Sequence, residues 1–321
     1  SRALKGCLES NDDHPAGSQT SSAHSHRGDF PEVLRALMDL SVVIVNWNAV
    51  SNLTRCLDSI SHLSKDVDEI VVVDNHSSDA SCQRAGEYSR VLLIANQDNR
   101  GFGPAANQGI ARTRSRFVLL INSDTRVLPV SVRKLYEAIE SNSNSAIACG
   151  PLVRSDGLPQ TSFQFRRLPT FFSVLLEVLG LDELITLFRK KTPASLKSGF
   201  LPSSVQPAAA YWMVSRGAWE ALKGFDPRFW PAWFEDVDFC KRLESTEWRV
   251  LFCEDAPALH VGGVSLPSLG HRQFTRAFYT NLKRYLRKHH PYGLALLWFP
   301  IQCGSLVRQF LATPIQAVKG S

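Results

Sequence analysis

The sequence predicts an α/β fold, a doubly wound and mostly parallel sheet flanked by helices. Three observations point to it. Between residues 41 and 122 lie four short, continuous runs that are β-branched or leucine-rich. Apolar residues recur at helical spacing between them, and three of the runs end on Asn or Asp. Strands that are apolar throughout belong to a parallel sheet, because crossover helices bury both of its faces. Ligands of such a sheet bind outside the carboxyl ends of its strands.

Residues 41–46 (SVVIVN) are the first strand, and Leu53, Cys56, Leu57 and Ile60 follow at helical spacing. Residues 69–74 (EIVVVD) are the second, with Asp79 beyond it as a helix N-cap. Residues 91–95 (VLLIA) are the third; Ala106 and Ile110 mark the next helix, and Pro104 suits its first position. Residues 117–122 (FVLLIN) are the fourth, followed by a helix carrying Val132, Leu135, Tyr136 and Ile139. After residue 145 the alternation breaks down. Residues 146–153 read as a strand, 162–165 as an extended piece and 168–189 as a helix, with a polar loop to about 205. Residues 211–215 and 249–253 read as strands, and 217–222 and 235–243 as helices. The expected organisation is an N-terminal extension over 1–37 and one domain over 38–270. Within that domain, 38–145 is the nucleotide-binding half and 146–270 the acceptor half. A basic, apolar helical tail fills 271–321.

The 321 residues are 44% hydrophobic and 21% charged, which excludes disordered and collagenous chains. The net charge of +6 is unevenly placed. Residues 271–321 hold eight Lys/Arg and no Asp or Glu, leaving 28 positive against 30 negative in 1–270. Seven scattered cysteines without a CxxC pair read as reduced thiols in a cytoplasmic setting. Residues 1–29 lack the apolar core of a signal peptide. The longest apolar stretch, 291–307, is interrupted by Pro300 and Gln302 and falls short of the roughly 20 residues a membrane span needs.

Three strand endings cluster polar groups on the expected ligand edge: Asn46-Trp47-Asn48, Asp74-Asn75 and Asn122-Ser123-Asp124. Each alone suits a turn or a helix cap. Together they suit a nucleotide and a divalent cation, since hard cations choose carboxylate and diphosphate oxygens. NRGFGPAAN (99–107) follows the third strand and lacks GxGxxG, and no GxxxxGK[ST] is present, which counts against dehydrogenases and P-loop enzymes. It is either a tight turn into a helix or a place where Arg100 and a helix N-terminus meet phosphate. Glu235, Asp236 and Asp238 follow an aromatic run of Phe229, Trp230, Trp233 and Phe234. Carboxylates at a helix start serve the macrodipole, and aromatic neighbours that exclude water also raise a carboxyl pKa toward the range of a general base. His260 reads as a hydrogen-bonded structural residue or as a ligand.

VVIVNWN, VVVDN, NRGFGPAANQGI, FVLLINSDT, GFDPRFW, FEDVDFCKRL and LHVGG occur in the order found in family 2 glycosyltransferases with the GT-A fold. Over about residues 40–290 the chain resembles that family, and most of all its bacterial rhamnosyltransferase-like branch of surface-polysaccharide enzymes. The resemblance implies inverting transfer of one sugar, rhamnose among the candidates, from a nucleoside-diphosphate sugar to a glycan or lipid-linked acceptor. It implies that Val45, Asn46 and Asp74 hold the nucleotide, with Arg100, Asn107 and Asn122 as further donor contacts. Asp124 and His260 become ligands of Mg2+ or Mn2+, and Asp236 becomes the base. Two departures stand out. Asn122 and Ser123 replace the first Asp and the Pro of that branch's metal motif, and Ala208, Ala209 and Ala210 stand where a Gly is usual, narrowing the acceptor pocket. A sugar nucleotidyltransferase and an inactive binding relative are the competing readings.

Residues 271–290 set Phe274, Ala277, Phe278, Leu282, Tyr285 and Leu286 against Arg272, Arg276, Lys283, Arg284, Arg287 and Lys288. A helix packed on the domain explains the apolar stripe. A basic amphipathic helix on an anionic membrane, extended by residues 294–299, explains the charge as well and places the enzyme at the inner face of the cell membrane. No nucleic-acid motif accompanies the charge.

Overall fold

The computed structural model describes residues 38–63, 65–179, 197–262 and 270–310. The expected extension over 1–37 lies outside them. The four apolar runs are β1 (Leu40–Asn46), β2 (Glu69–Asp74), β3 (Val91–Ala95) and β4 (Phe117–Asn122), all mutually parallel. They join β11 (Tyr211–Ser215), β6 (Ser145–Cys149), β12 (Arg249–Phe252) and β9 (Gly199–Phe200) in the order β3-β2-β1-β4-β11-β6-β12-β9. β11 runs antiparallel to both of its neighbours, and β9 is antiparallel to β12.

Burial on two faces explains the unbroken apolar runs of β1, β2 and β4, whereas β3, at the sheet edge, is only partly buried. Val42 and Ile44 pack with Leu53, Leu57 and Ile60 of α1 (Val50–Ser61) and with Val132, Leu135 and Ile139 of α4 (Pro129–Glu140). Val43 and Val45 face the other way, toward Ala105, Ala106 and Ile110 of α3 (Phe102–Arg112). The small α2 (Ser81–Gly86) covers the β2–β3 edge. Asp79 accepts from the Ser81 amide at 3.0 Å and also from the Val50 amide, so it serves two helix starts. Pro104 is the third residue of α3, which begins at Phe102.

The second half departs from the expected pattern. The run 146–153 is two strands, β6 and β7 (Leu152–Val153), broken at Gly150-Pro151. A Cβ at Gly150 would lie 1.8 Å from the Ala256 carbonyl oxygen, so the chain turns there on a glycine. β7 joins β5 (Thr125–Val127) and β13 (Ala258–His260) in a small second sheet. The extended piece over 162–165 is instead a helical turn, α5 (Thr161–Gln164), followed by β8 (Phe165–Arg167). β8 pairs with β10 (Val205–Pro207), in a polar stretch whose period gives no strand signal. Of the helix expected over 168–189, α6 (Phe171–Val178) is seen, and 180–196 lie outside the described residues.

α7 (Arg216–Ala221) and α8 (Glu235–Leu243) match their expected places. The tail is a helical hairpin of α9 (His271–His289) and α10 (Pro291–Phe310). The apolar stripe of α9 is consumed by packing: Phe274, Phe278, Leu282, Tyr285 and Leu286 are buried with Phe229 and Phe234. One of its cations is engaged with the domain as well. Lys288 pairs with Asp226 at 2.8 Å and with the fully buried Asp238 at 2.7 Å. His289 and Arg242 complete the shell of Asp238 at 2.8 Å each. Burial alone would push the Asp238 carboxyl up; these three partners outweigh it and hold the group below the usual carboxylate range. The first helix of the tail thus packs against the segment that carries Phe229, Phe234 and Asp238. No helix among the described residues is long and apolar enough to cross a membrane.

Candidate active site

Strand register gathers four of the predicted residues at one edge. Val45 pairs with Asn122 and Asn46 with Asp74, so the ends of β1, β2 and β4 lie side by side. Asp74 is buried and fully engaged. Its Oδ2 accepts from Asn46 Nδ2 at 2.8 Å and from the Ser77 hydroxyl at 2.7 Å, and its Oδ1 accepts from the Ser77 amide. Asp74 thus orients Asn46, whose own Oδ1 is buried without a hydrogen-bond partner among the described residues. A buried carbonyl oxygen left unpaired costs about 1–3 kcal/mol, and a nucleobase N–H would satisfy it.

The 99–107 segment divides. Asn75 donates to the Gly101 carbonyl at 3.0 Å and Asn96 to Asn75, tying the loop to the β2 end. Gly101 has φ +86, and a Cβ there would meet the Pro231 oxygen at 2.6 Å, so the loop and the 229–234 aromatic segment fit only with glycine. Arg100 stands half exposed beside Asp98 at 3.3 Å. Asn107 is not at the strand edge: its amide donates to the Phe225 carbonyl and accepts from the Phe225 amide. It clamps the GFDP turn, and both of its polar atoms are spent there.

Asp124 follows β4, and β13 brings His260 to it: Nε2 lies 3.5 Å from Asp124 Oδ1. Asp124 Oδ2 accepts from the Gly262 amide at 3.1 Å. Gln160 donates through Nε2 to the His260 carbonyl, so its Oε1 meets His260 Nδ1 at 2.9 Å and assigns the proton to Nδ1. Burial lowers the His260 pKa and outweighs the Asp124 charge, which favours the neutral ring. A bare Nε2 lone pair then faces a carboxylate oxygen. Two acceptors at that separation suit a shared cation, and one imidazole nitrogen with one carboxylate oxygen would supply two of the six positions around Mn2+ or Mg2+. Among the described residues no group of three or more His, Cys, Asp or Glu forms around a cation position. A diphosphate would have to supply further oxygens.

The third predicted centre lies at the start of α8. Trp233 and Phe234 have φ +70 and +76, left-handed values that bulky residues avoid unless their surroundings impose them. α9 imposes them. The fully buried Asn281 donates to the carbonyls of Trp230, Ala232 and Trp233, while Phe274 and Phe278 pack edge-on against Trp233 and Phe234. Glu235 and Asp236 then emerge with unequal partners. Glu235 is buried, its Oε2 unpaired among the described residues, and burial together with the Asp236 charge pushes its pKa well up. Burial raises Asp236 too, opposed by Arg166 and by the backbone amides of Val237 and Ala209. Of the pair, Asp236 is the one whose upward shift a cation, Arg166, opposes. Gln206 Nε2 donates to Asp236 Oδ2 at 2.7 Å.

One strip of side chains connects the two centres. Phe163 stacks on His260 at 5.1 Å, and the Arg166 guanidinium lies 5.6 Å over Phe163 while acting electrostatically on Asp236. Gln160, Phe163, Arg166, Gln206 and Asn281 carry no motif, and sequence reasoning missed all five. Ala209 and Ala210 are buried, and the Ala210 carbonyl accepts from the Asn122 amide and the Thr125 hydroxyl. They wire β4 to β11.

Residues 41–192 match the family model "Glycosyl transferase family 2". The chain is 29% identical over 241 residues to the N-acetylglucosaminyl-diphospho-decaprenol L-rhamnosyltransferase of Mycobacterium tuberculosis, covering 69% of this chain and 75% of that protein. It is also 29% identical over 173 residues to the succinoglycan biosynthesis protein ExoO of Rhizobium meliloti, covering 53% and 45%. Among solved structures, a mannosyltransferase of Pyrobaculum calidifontis, in complex with GDP-Man and Mn2+, aligns at a TM-score of 0.53 with 14% identity over 87% of this chain and 77% of that one. This last likeness concerns the fold.

Proposed function

The chain carries a glycosyl transferase family 2 domain over residues 41–192 and is a glycosyltransferase, and on that premise we propose that it moves one sugar from a nucleoside-diphosphate donor with inversion, using Asp236 as base. The acceptor is a glycan or a lipid-linked sugar of cell-surface polysaccharide synthesis, and rhamnose is the leading candidate sugar, in keeping with the mycobacterial relative's name. One observation carries the reading. A strip of side chains joins the Asp236 carboxyl to a carboxylate–imidazole pair at Asp124 and His260, beside the carboxyl ends of β1, β2 and β4.

The residues divide the work. Asn46 offers its unpaired oxygen to the base of the nucleotide, oriented by Asp74. Val45 and Asn122 border that position from neighbouring strands, and Arg100 stands at the outer loop as a charge for the donor's phosphates. Asp124 and His260 hold a divalent cation. When bound, such a cation supplies a Lewis acid for the leaving diphosphate. Asp236, oriented by Gln206, takes the proton of the acceptor hydroxyl as its oxygen attacks the anomeric carbon. Transfer assays with a panel of nucleotide sugars and lipid-linked acceptors test this. The expected product has the anomeric configuration opposite to the donor's in its NMR coupling constants. Retention, or nucleotide-sugar synthesis from a sugar phosphate instead of transfer, would overturn it.

The same proposal places the enzyme at the inner face of the cell membrane, held peripherally. The support comes from α10 instead of the α9 stripe. Tyr292, Leu296, Phe299 and Leu306 lie on one face of α10 and are 89%, 72%, 70% and 56% exposed. Beside them Lys283 donates to Gln302 at 3.1 Å, which brings the row Arg276, Lys283 and Arg287 alongside that face. An apolar ridge flanked by cations, in a stretch without one carboxylate, complements an anionic bilayer surface.

A further inference from the structure

β8 and β10 form a two-stranded ribbon in which Gln206 is the register partner of Arg166. The two residues are far apart in sequence, and neither belongs to a motif. Their pairing brings both to one carboxylate. Gln206 is 2% exposed and gives its amide to Asp236 Oδ2 at 2.7 Å as well as to the Pro207 carbonyl, so its orientation is fixed. Arg166 is held over the Phe163 ring, 5.6 Å from its centroid, and its charge acts on the same carboxylate. The Val237 amide takes Oδ1 at 2.8 Å. One carboxylate oxygen is thus fixed by α8 itself and the other by the ribbon.

We infer that the β8–β10 ribbon positions the Asp236 carboxylate, with Gln206 setting its orientation and Arg166 its charge. The inference rests on the reading of Asp236 as the base, and it adds two positioning residues to it. The physical need is clear from the surroundings. Glu235 beside Asp236 on the same helix and the buried Cys240 thiol one turn on offer no compensating charge, and burial disfavours the anion. Arg166 is the cation that opposes this from a neighbouring element. Without the ribbon Asp236 would take up a proton nearer neutrality and would be free to rotate away from an acceptor hydroxyl.

A carboxyl 13C NMR titration of the full chain, without any substrate, tests this. The Asp236 signal is identified by its absence in Asp236→Asn. Gln206→Leu is expected to raise the Asp236 midpoint by about one pH unit, the equivalent of one lost hydrogen bond. Arg166→Gln is expected to raise it in the same direction, and Gln206→Glu, which sets two carboxyls in contact, to raise it further. If Gln206→Leu does not fold, Arg166→Gln and Gln206→Glu still decide. A midpoint unmoved by the folded variants overturns the positioning role. The reading of Asp236 as base fails separately, by normal turnover of Asp236→Asn.

Discussion

Asp236→Asn is expected to lower sugar transfer by about 10²–10⁴-fold, the range a positioned general base contributes, while the variant should still fold and bind a nucleotide sugar. Asn keeps the size of the side chain and can still accept a hydrogen bond, so the geometry persists and only proton acceptance is lost. The stability change carries a sign. Burial raises the Asp236 carboxyl above its ordinary value, so the ionised form is disfavoured in the folded protein at neutral pH. A neutral amide relieves that cost, and the variant should melt no lower than the wild type. The same shift places the acid limb of kcat/KM in the wild type above the ordinary aspartate pKa of about 4. Steady-state rates across pH, together with melting curves, check all three statements. A folded variant with unchanged turnover would remove Asp236 from the mechanism.

The second large effect concerns the membrane. Leu296→Glu combined with Phe299→Glu should weaken binding to vesicles containing phosphatidylglycerol by at least about tenfold, because burial of each large side chain is worth about 1.5–3 kcal/mol. Both residues are exposed, so melting should not change. Raising salt should weaken wild-type binding through the cationic row, over the roughly 8–10 Å screening length of moderate ionic strength. Deleting the whole tail is the wrong experiment. Asn281 and Lys288 hold the loop and the helix that carry Asp236, and their loss would disturb that helix whether or not α10 meets a membrane. Sedimentation with vesicles measures the effect, and equal binding of the double variant and the wild type would refute the role of α10.

The parallel core was legible because β1, β2 and β4 are buried on both faces, which forces an unbroken apolar run that no other common environment requires. The polar endings were legible for the complementary reason that ligands sit where such strands stop. The second half was not, since its strands are two to five residues long and are defined by partners distant in sequence. β6 and β7 share one apolar run, and only the close approach of Ala256 to Gly150 separates them. Gln206 reaches Asp236 through the β8–β10 register and Asn281 reaches the 230–233 carbonyls through helix docking. A Gln or an Asn in a polar stretch gives no local sign of either role. Asn107 shows the converse. It sits in a motif-like segment, yet its amide closes a turn 118 residues away.

The amphipathic period of the tail was visible, but period alone does not say which solvent the apolar stripe meets. In α9 that solvent is the protein, and the exposed apolar face belongs to α10.

A nucleoside-diphosphate sugar held at the edge formed by β1, β2 and β4, with a cation at Asp124 and His260, would stabilise the folded protein. The most direct measurement is the melting temperature of the wild type and of Asp124→Asn against a panel of nucleotide sugars, each with and without Mn2+. A ligand that binds only the folded state stabilises it by RT ln(1 + [L]/Kd), about 2.7 kcal/mol at a hundredfold excess over Kd. At least one nucleotide sugar is expected to raise the wild-type melting temperature by several degrees, Mn2+ to be needed for the full shift, and Asp124→Asn to lose the Mn2+-dependent part. No shift with any nucleotide sugar, or an equal Mn2+-dependent shift in Asp124→Asn, would contradict it.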